Sequence, residues 1–193
     1  MNARTAGLLF FVAFATTAGC RSAALSPYTT PSEVSRSTVE AEALSRKGAD
    51  VAGDDQEEAE ALFRRALAKD LYYGPAHNNL GVLYLKEKKL YEAANEFEWA
   101  RKLMPGHPDP RVNLALTLEM AGKLEEALAS YGAALEVYPE YLPALQGIAS
   151  LVLRSGKKDE RLSGWLDAIA MRGDPRWRDW ALARHRGGDT PRE

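Results

Sequence analysis

Four aromatic residues, Phe63, Phe97, Tyr131 and Trp165, stand 34 positions apart, and the register holds in other columns of the chain. Ala66, Ala100, Ala134 and Ala168 share the spacing, as do Ala59, Ala93 and Ala127. Leu80, Leu114 and Ile148 form a further column, with Gly81, Ala115 and Ala149 beside them and Tyr84, Leu118 and Val152 four positions after the first. A period of this length constrains the fold more than any other feature of the sequence. Each period is one supersecondary unit that buries its apolar face only against its neighbours, so the chain stacks rather than wrapping around one centre.

Within a period the apolar residues follow helical spacing. Leu114, Ala115 and Leu118 fall on one face at i, i+1, i+4, and Ala127, Tyr131 and Ala134 on another at i, i+4, i+7. Gly122 and Gly156 sit between the two helices, where a left-handed backbone favours glycine. Pro105 and Pro139 end two periods because proline does not continue a helix. These columns resemble the tetratricopeptide repeat (TPR), a 34-residue helix–turn–helix unit. The resemblance implies an all-α solenoid of about four repeats over residues 39–172, in units 39–73, 74–107, 108–141 and 142–172. The first unit is degenerate: Leu71 replaces the expected proline, and Gly53-Asp54-Asp55 adds a residue to its turn. In the fourth, Arg161 occupies the column of small alanines. Residues 173–193 supply a capping helix and a disordered tail. Asp174 is its N-cap, Pro175 its first residue, and Gly187-Gly188 its stop.

The N-terminal segment carries a different message. After Arg4, an apolar run of eleven residues extends from Leu8 to Ala18. A membrane span needs about twenty, so residues 1–19 read as a secretory signal peptide. Thr17-Ala18-Gly19-Cys20 resembles the lipobox of bacterial lipoproteins, with Thr17 where that family usually has leucine. The resemblance implies lipidation at Cys20 and a protein anchored in the cell envelope, at the outer membrane or its periplasmic face. Residues 20–38, rich in Ser, Thr and Pro, read as a flexible tether, since such a stretch buries too little apolar surface to offset its ordering entropy.

Composition excludes several functions. Twenty-five basic against 27 acidic residues give a net charge of −2, which disfavours a nucleic-acid partner. One cysteine forbids an internal disulfide or a Cys-rich zinc site. No HExxH, GxSxG, phosphate-binding loop or dinucleotide fingerprint is present. His77 lies near a packing surface and His107 in a turn between units, so both read as structural rather than as ligands. The expectation is a protein that is not an enzyme, with no cofactor, no metal and no small-molecule substrate.

What a TPR-type array offers instead is a concave groove lined by the first helix of each unit. The resemblance places Asn78, Asn79, Val82 and Leu85 there from the second unit, Val112, Asn113, Leu116 and Met120 from the third, and Gln146 from the fourth. Asn79 and Asn113 hold the same position of successive units, and an amide has both donor and acceptor for the backbone of an extended peptide. The basic clamp of chaperone-binding relatives is not evident, because the matching positions hold Leu44, Asp109 and Asn113. The resulting expectation is a lipid-anchored scaffold that binds a peptide or partner protein and assists assembly of an envelope complex. A tethering subunit for a cell-wall enzyme and a self-associating module are the alternatives. In the last helix, Trp177 and Trp180 with Arg176, Arg178, Arg184 and Arg186 read either as a cap on the final repeat or as a contact for anionic lipid or glycan.

Overall fold

A computed structural model describes residues 36–188, with side chains through His185. The described residues form nine helices and no strand: α1 (Thr38–Val51), α2 (Gln56–Lys69), α3 (Gly74–Lys86), α4 (Leu90–Leu103), α5 (Asp109–Met120), α6 (Leu124–Val137), α7 (Leu142–Ser155), α8 (Leu162–Arg172) and α9 (Pro175–Gly188). They stack as four helix–turn–helix pairs followed by a capping helix. None of the described helices is long and apolar enough to cross a membrane. Residues 1–35, on which the expected signal peptide, the expected lipidation site and most of the expected tether fall, lie outside the described residues.

Local chemistry sets the helix ends. The Asp55 carboxylate accepts the Glu58 N–H at 2.9 Å and caps α2, and Asp174 accepts the Trp177 N–H at 3.0 Å and caps α9. Inside the turns of the second, third and fourth pairs, one residue adopts positive φ: Lys88 (61°), Gly122 (76°) and Gly156 (68°). At the other end of the chain, α9 runs to Gly188 rather than stopping before the glycine pair.

The repeated small residues allow the helices to approach closely. Ala59, Ala93, Ala127, Ala66, Ala100 and Ala134 are all fully buried. A Cβ added at Gly81 would lie 2.7 Å from the Phe97 ring, and one at Gly48 2.7 Å from the Phe63 ring. Phe63 and Phe97 thus pack on a bare helix backbone, whereas the third and fourth pairs carry Ala115 and Ala149 in the column of Gly81. The first pair reaches this contact by a different register. Gly48 precedes its aromatic partner by fifteen residues where Gly81 precedes its own by sixteen. The first turn does contain four residues against three in the next two pairs, but α1 ends sooner after its glycine.

The fourth pair departs more. Arg161 is too long for the alanine slot, so it remains exposed, bonds the Asp159 carboxylate at 2.8 Å and stacks 4.9 Å from the Trp165 ring centroid. The connection from α7 to α8 lengthens to six residues, and α8 starts at Leu162. A cleft of about 510 Å³ opens between α6 and this connection, floored by Leu128, Ile148 and Val152 and rimmed by Lys157, Lys158 and Arg161. Finally, α9 closes the stack. Its Ala181 is buried, and Trp177 and Trp180, packed edge to face at 5.1 Å, cover Trp165, Leu166 and Ile169.

Candidate functional site

The curvature of the stack identifies its inner face. The first helices of successive pairs, α1, α3, α5 and α7, touch one another directly, whereas the second helices meet chiefly through the helices between them. Neighbours are closest on the inside of a bend, so α1, α3, α5 and α7 line the concave surface.

Hydrogen bonds run along this surface from unit to unit. Asn79 Nδ2 donates to Ser45 Oγ at 3.4 Å, and Asn113 Nδ2 donates to Asn78 Oδ1 at 3.0 Å. Arg154 of α7 pairs with Glu119 of α5, and Tyr131 Oη donates to the same Glu119 carboxylate at 3.4 Å. Burial, then the negative charge of Glu119, pushes the Tyr131 phenol well above its usual range, so it remains a donor. At the start of the helices, Tyr141 Oη bonds Asp109, and burial together with that bond raises its pKa to about 12.

These bonds alter the role expected of the asparagines. Asn78, Asn79 and Asn113 are half-buried, and each spends part of its hydrogen-bonding capacity on a neighbouring helix of the array. Asn79 and Asn113 each retain a second amide hydrogen and an amide oxygen that no residue of the array engages. The column they share ends in α7 at Gly147, where a Cβ would fall 2.3 Å from the Tyr131 ring. No third amide follows them.

The apolar candidates divide into two groups. Val82, Leu85 and Val112 are half-buried and pack against the cores of the second to fourth pairs. Leu116 and Met120 are 40% and 47% exposed, one turn apart on α5, and Leu153 of α7 is also exposed. Gln146 is half-buried on α7, and its side chain has no hydrogen-bond partner among the described residues. Cys20 lies outside the described residues. The cleft beside Arg161 belongs to α6 and the α7–α8 connection, and none of the groove residues line it. The signal for it was the arginine in an alanine column, but a single exception to a repeat does not reveal whether the helix bends, slides or starts late.

His77 is structural. It is buried with Nδ1 2.6 Å from Glu96 Oε2 and Nε2 donating to the Leu71 carbonyl at 2.8 Å, and its ring stacks on Trp99 at 5.7 Å. It joins α3 to α4 and to the preceding turn. Among the described residues no group of three or more His, Cys, Asp or Glu side chains is placed to hold a metal ion.

No family model matches the chain, and no curated protein matches it. Solved structures do. The first TPR domain of Spaghetti (RPAP3), bound to the HSP90 peptide SRMEEVD, superposes with TM-score 0.60 at 20% identity, covering 64% of this chain and 99% of that one. MamA from Desulfovibrio magneticus RS-1 gives 0.57 at 18% identity over 78% of each chain. A mutant of Thermobaculum terrenum O-GlcNAc transferase gives 0.62 at 25% identity, covering 76% of this chain but only 28% of that protein. The fold is a TPR-type helix–turn–helix solenoid.

Proposed function

We propose that this chain is a non-enzymatic interaction scaffold, a lipoprotein held at the cell envelope through Cys20, whose concave groove takes a segment of a partner protein. The observation that carries the reading is the exposure of Leu116 and Met120, one turn apart on α5 at the inner face, beside polar groups already bonded within the array. An apolar surface without a partner of its own marks a site of interaction, and the flexible thioether of Met120 adapts to different side chains. The peptide complex of the Spaghetti (RPAP3) domain supports a peptide as occupant. That peptide ends in acidic residues, whereas Leu44, Asp109 and Asn113 provide no basic clamp here. The partner segment of this chain therefore presents apolar side chains to α5 and α7, and the free amide groups of Asn79 and Asn113 hold its backbone at one flank.

Two measurements test the reading. A photo-crosslinking side chain in place of Leu116 is expected to trap a discrete partner in cells, and one in place of the exposed Ala61 on outer helix α2 to trap none. Equal labelling at the two sites would remove the groove from the proposal. Intact mass and membrane fractionation of the wild type beside Cys20→Ser test the anchor. A product starting at Cys20 with acyl chains, lost in the variant together with membrane association, is the expected result, and a soluble unlipidated product in both overturns it.

A further inference from the structure

Because the helices alternate in direction, the array has two unlike edges. One collects the turns inside each pair. The other collects the turns between pairs, residues 70–73, 104–108, 138–141 and 173–174, together with the N-terminus of α1.

The chain enters the array at the second edge, and the entry is pinned. Ser37 N–H donates to the Lys69 carbonyl at 2.9 Å, Thr38 Oγ1 donates to Asp70 Oδ2 at 2.7 Å, and Arg36 Nε lies 2.8 Å from Asp70 Oδ1. The Arg36 guanidinium also lies over the Tyr72 ring, 5.6 Å from its centroid. The described chain therefore begins beside the first inter-pair turn.

The same edge gathers exposed apolar side chains. Val39, Met171, Leu71 and Tyr138 are 80%, 75%, 55% and 52% exposed, and Tyr72 is exposed beside Leu71. These are five of the twelve exposed large hydrophobic residues among those described, more than the three on the concave face. They are also of the kinds that suit a lipid boundary. Tyrosine places its ring at headgroup level with its hydroxyl toward water, and aliphatic side chains reach below it. The opposite edge carries fewer such residues, Tyr91 and Leu124 at the starts of α4 and α6. Its charge is mixed: residues 50–58 in the first intra-pair turn include five acidic and no basic side chains, whereas Lys86, Lys88 and Lys89 lie at the second and Lys157, Lys158 and Arg161 at the fourth.

We infer that the inter-pair edge is the face this array turns to a phospholipid surface, with Tyr72 and Tyr138 at the level of the headgroups. The inference rests on the membrane-anchored reading above, and it gives that reading an orientation. An array standing on this edge leaves the concave groove open at its side.

The test separates orientation from anchoring by supplying the anchor artificially. The full chain carrying Cys20→Ser and an N-terminal hexahistidine tag is bound to vesicles of phosphatidylcholine and phosphatidylglycerol containing a nickel-chelating lipid and brominated acyl chains. A bimane label is placed at Leu71→Cys, at Tyr138→Cys, or at Lys123→Cys on the opposite edge. Quenching at positions 71 and 138 at least about twofold stronger than at 123 is the expected result, as a probe at headgroup depth reaches the upper acyl chains. Equal quenching at the three positions, stronger quenching at 123, or none would overturn the orientation. Pyrene excimers between copies labelled at Leu71→Cys, without lipid quenching, would give the edge to a second copy of the chain and also overturn it. Whether the wild type is acylated is read separately from its intact mass.

Discussion

Lys88 adopts the left-handed backbone that Gly122 and Gly156 adopt in the next two pairs, at φ 61°. A side chain in this conformation costs about 1–2 kcal/mol relative to the right-handed region. Lys88→Gly removes the strain but adds freedom to the unfolded chain, so a net stabilisation of about 0.5–1 kcal/mol is expected. A higher urea midpoint at unchanged slope would show it, and a lower midpoint would mean that the lysine side chain contributes a compensating contact. Nothing in the residue type announced this position. The repeat register pointed to it, because Lys88 occupies the column of the two turn glycines. The asparagines show the opposite limit. Their placement at the helix junctions of the inner face followed from the register, but a donor and acceptor side chain pairs with whatever comes within reach. For Asn79 and Asn113 the nearest partners are Ser45 and Asn78 of the array itself.

Asp70 acts at the level of the element, because its buried carboxylate joins the start of α1 to the end of α2. Burial alone would raise its pKa, but hydrogen bonds from Arg36, Thr38 and the Tyr72 N–H outweigh it and hold the group below the usual carboxylate range. A carboxyl depressed in the folded state stabilises the fold at pH values above its unfolded pKa of about 3.9, and this contribution disappears as pH falls through the lower folded value. Asp70→Asn is therefore expected to destabilise the neutral-pH protein by about 1–3 kcal/mol. Its stability should also fall less than that of the wild type between pH 5 and the acid limit, about where carboxylates titrate. Parallel pH profiles for the two proteins would show that the Asp70 charge does not hold α1 in place. Helix existence was legible for every pair, because alanine and aromatic columns persist. The late start of α8 was not. Arg161 signals that the helices cannot approach there as elsewhere, while the response depends on Asp159 and Trp165 accepting its guanidinium.

For the whole molecule, stability passes from unit to unit, since each pair contacts mainly its neighbours. An end pair then depends on whatever covers its outer face. Here α9 covers Trp165, Leu166 and Ile169 with Trp177, Trp180 and Ala181. A chain ending at Gly173 is expected to expose this cluster and to lose several degrees of thermal stability, about 4 °C or more for a domain of this class. Aggregation through the bared face is the accompanying sign. A truncated chain as stable as the whole would make α9 an appendage and return its tryptophans and arginines to a binding role. The half-buried, mutually packed indoles favour the cap.

The amino-acid sequence by itself determined the all-α class, the 34-residue unit, the pairing of helices and the alanine contacts. Each of these depends on residue size and spacing along a regular helix, which are local quantities. Only the tertiary structure decided which polar side chains of the inner face are spent on the array, where the cleft beside Arg161 opens, and that the exposed residues Leu71, Tyr72 and Tyr138 share an edge with the point of chain entry. Those features depend on how residues 30 or more positions apart meet in space, and a repeat in the sequence records its regularities but not how its exceptions are accommodated.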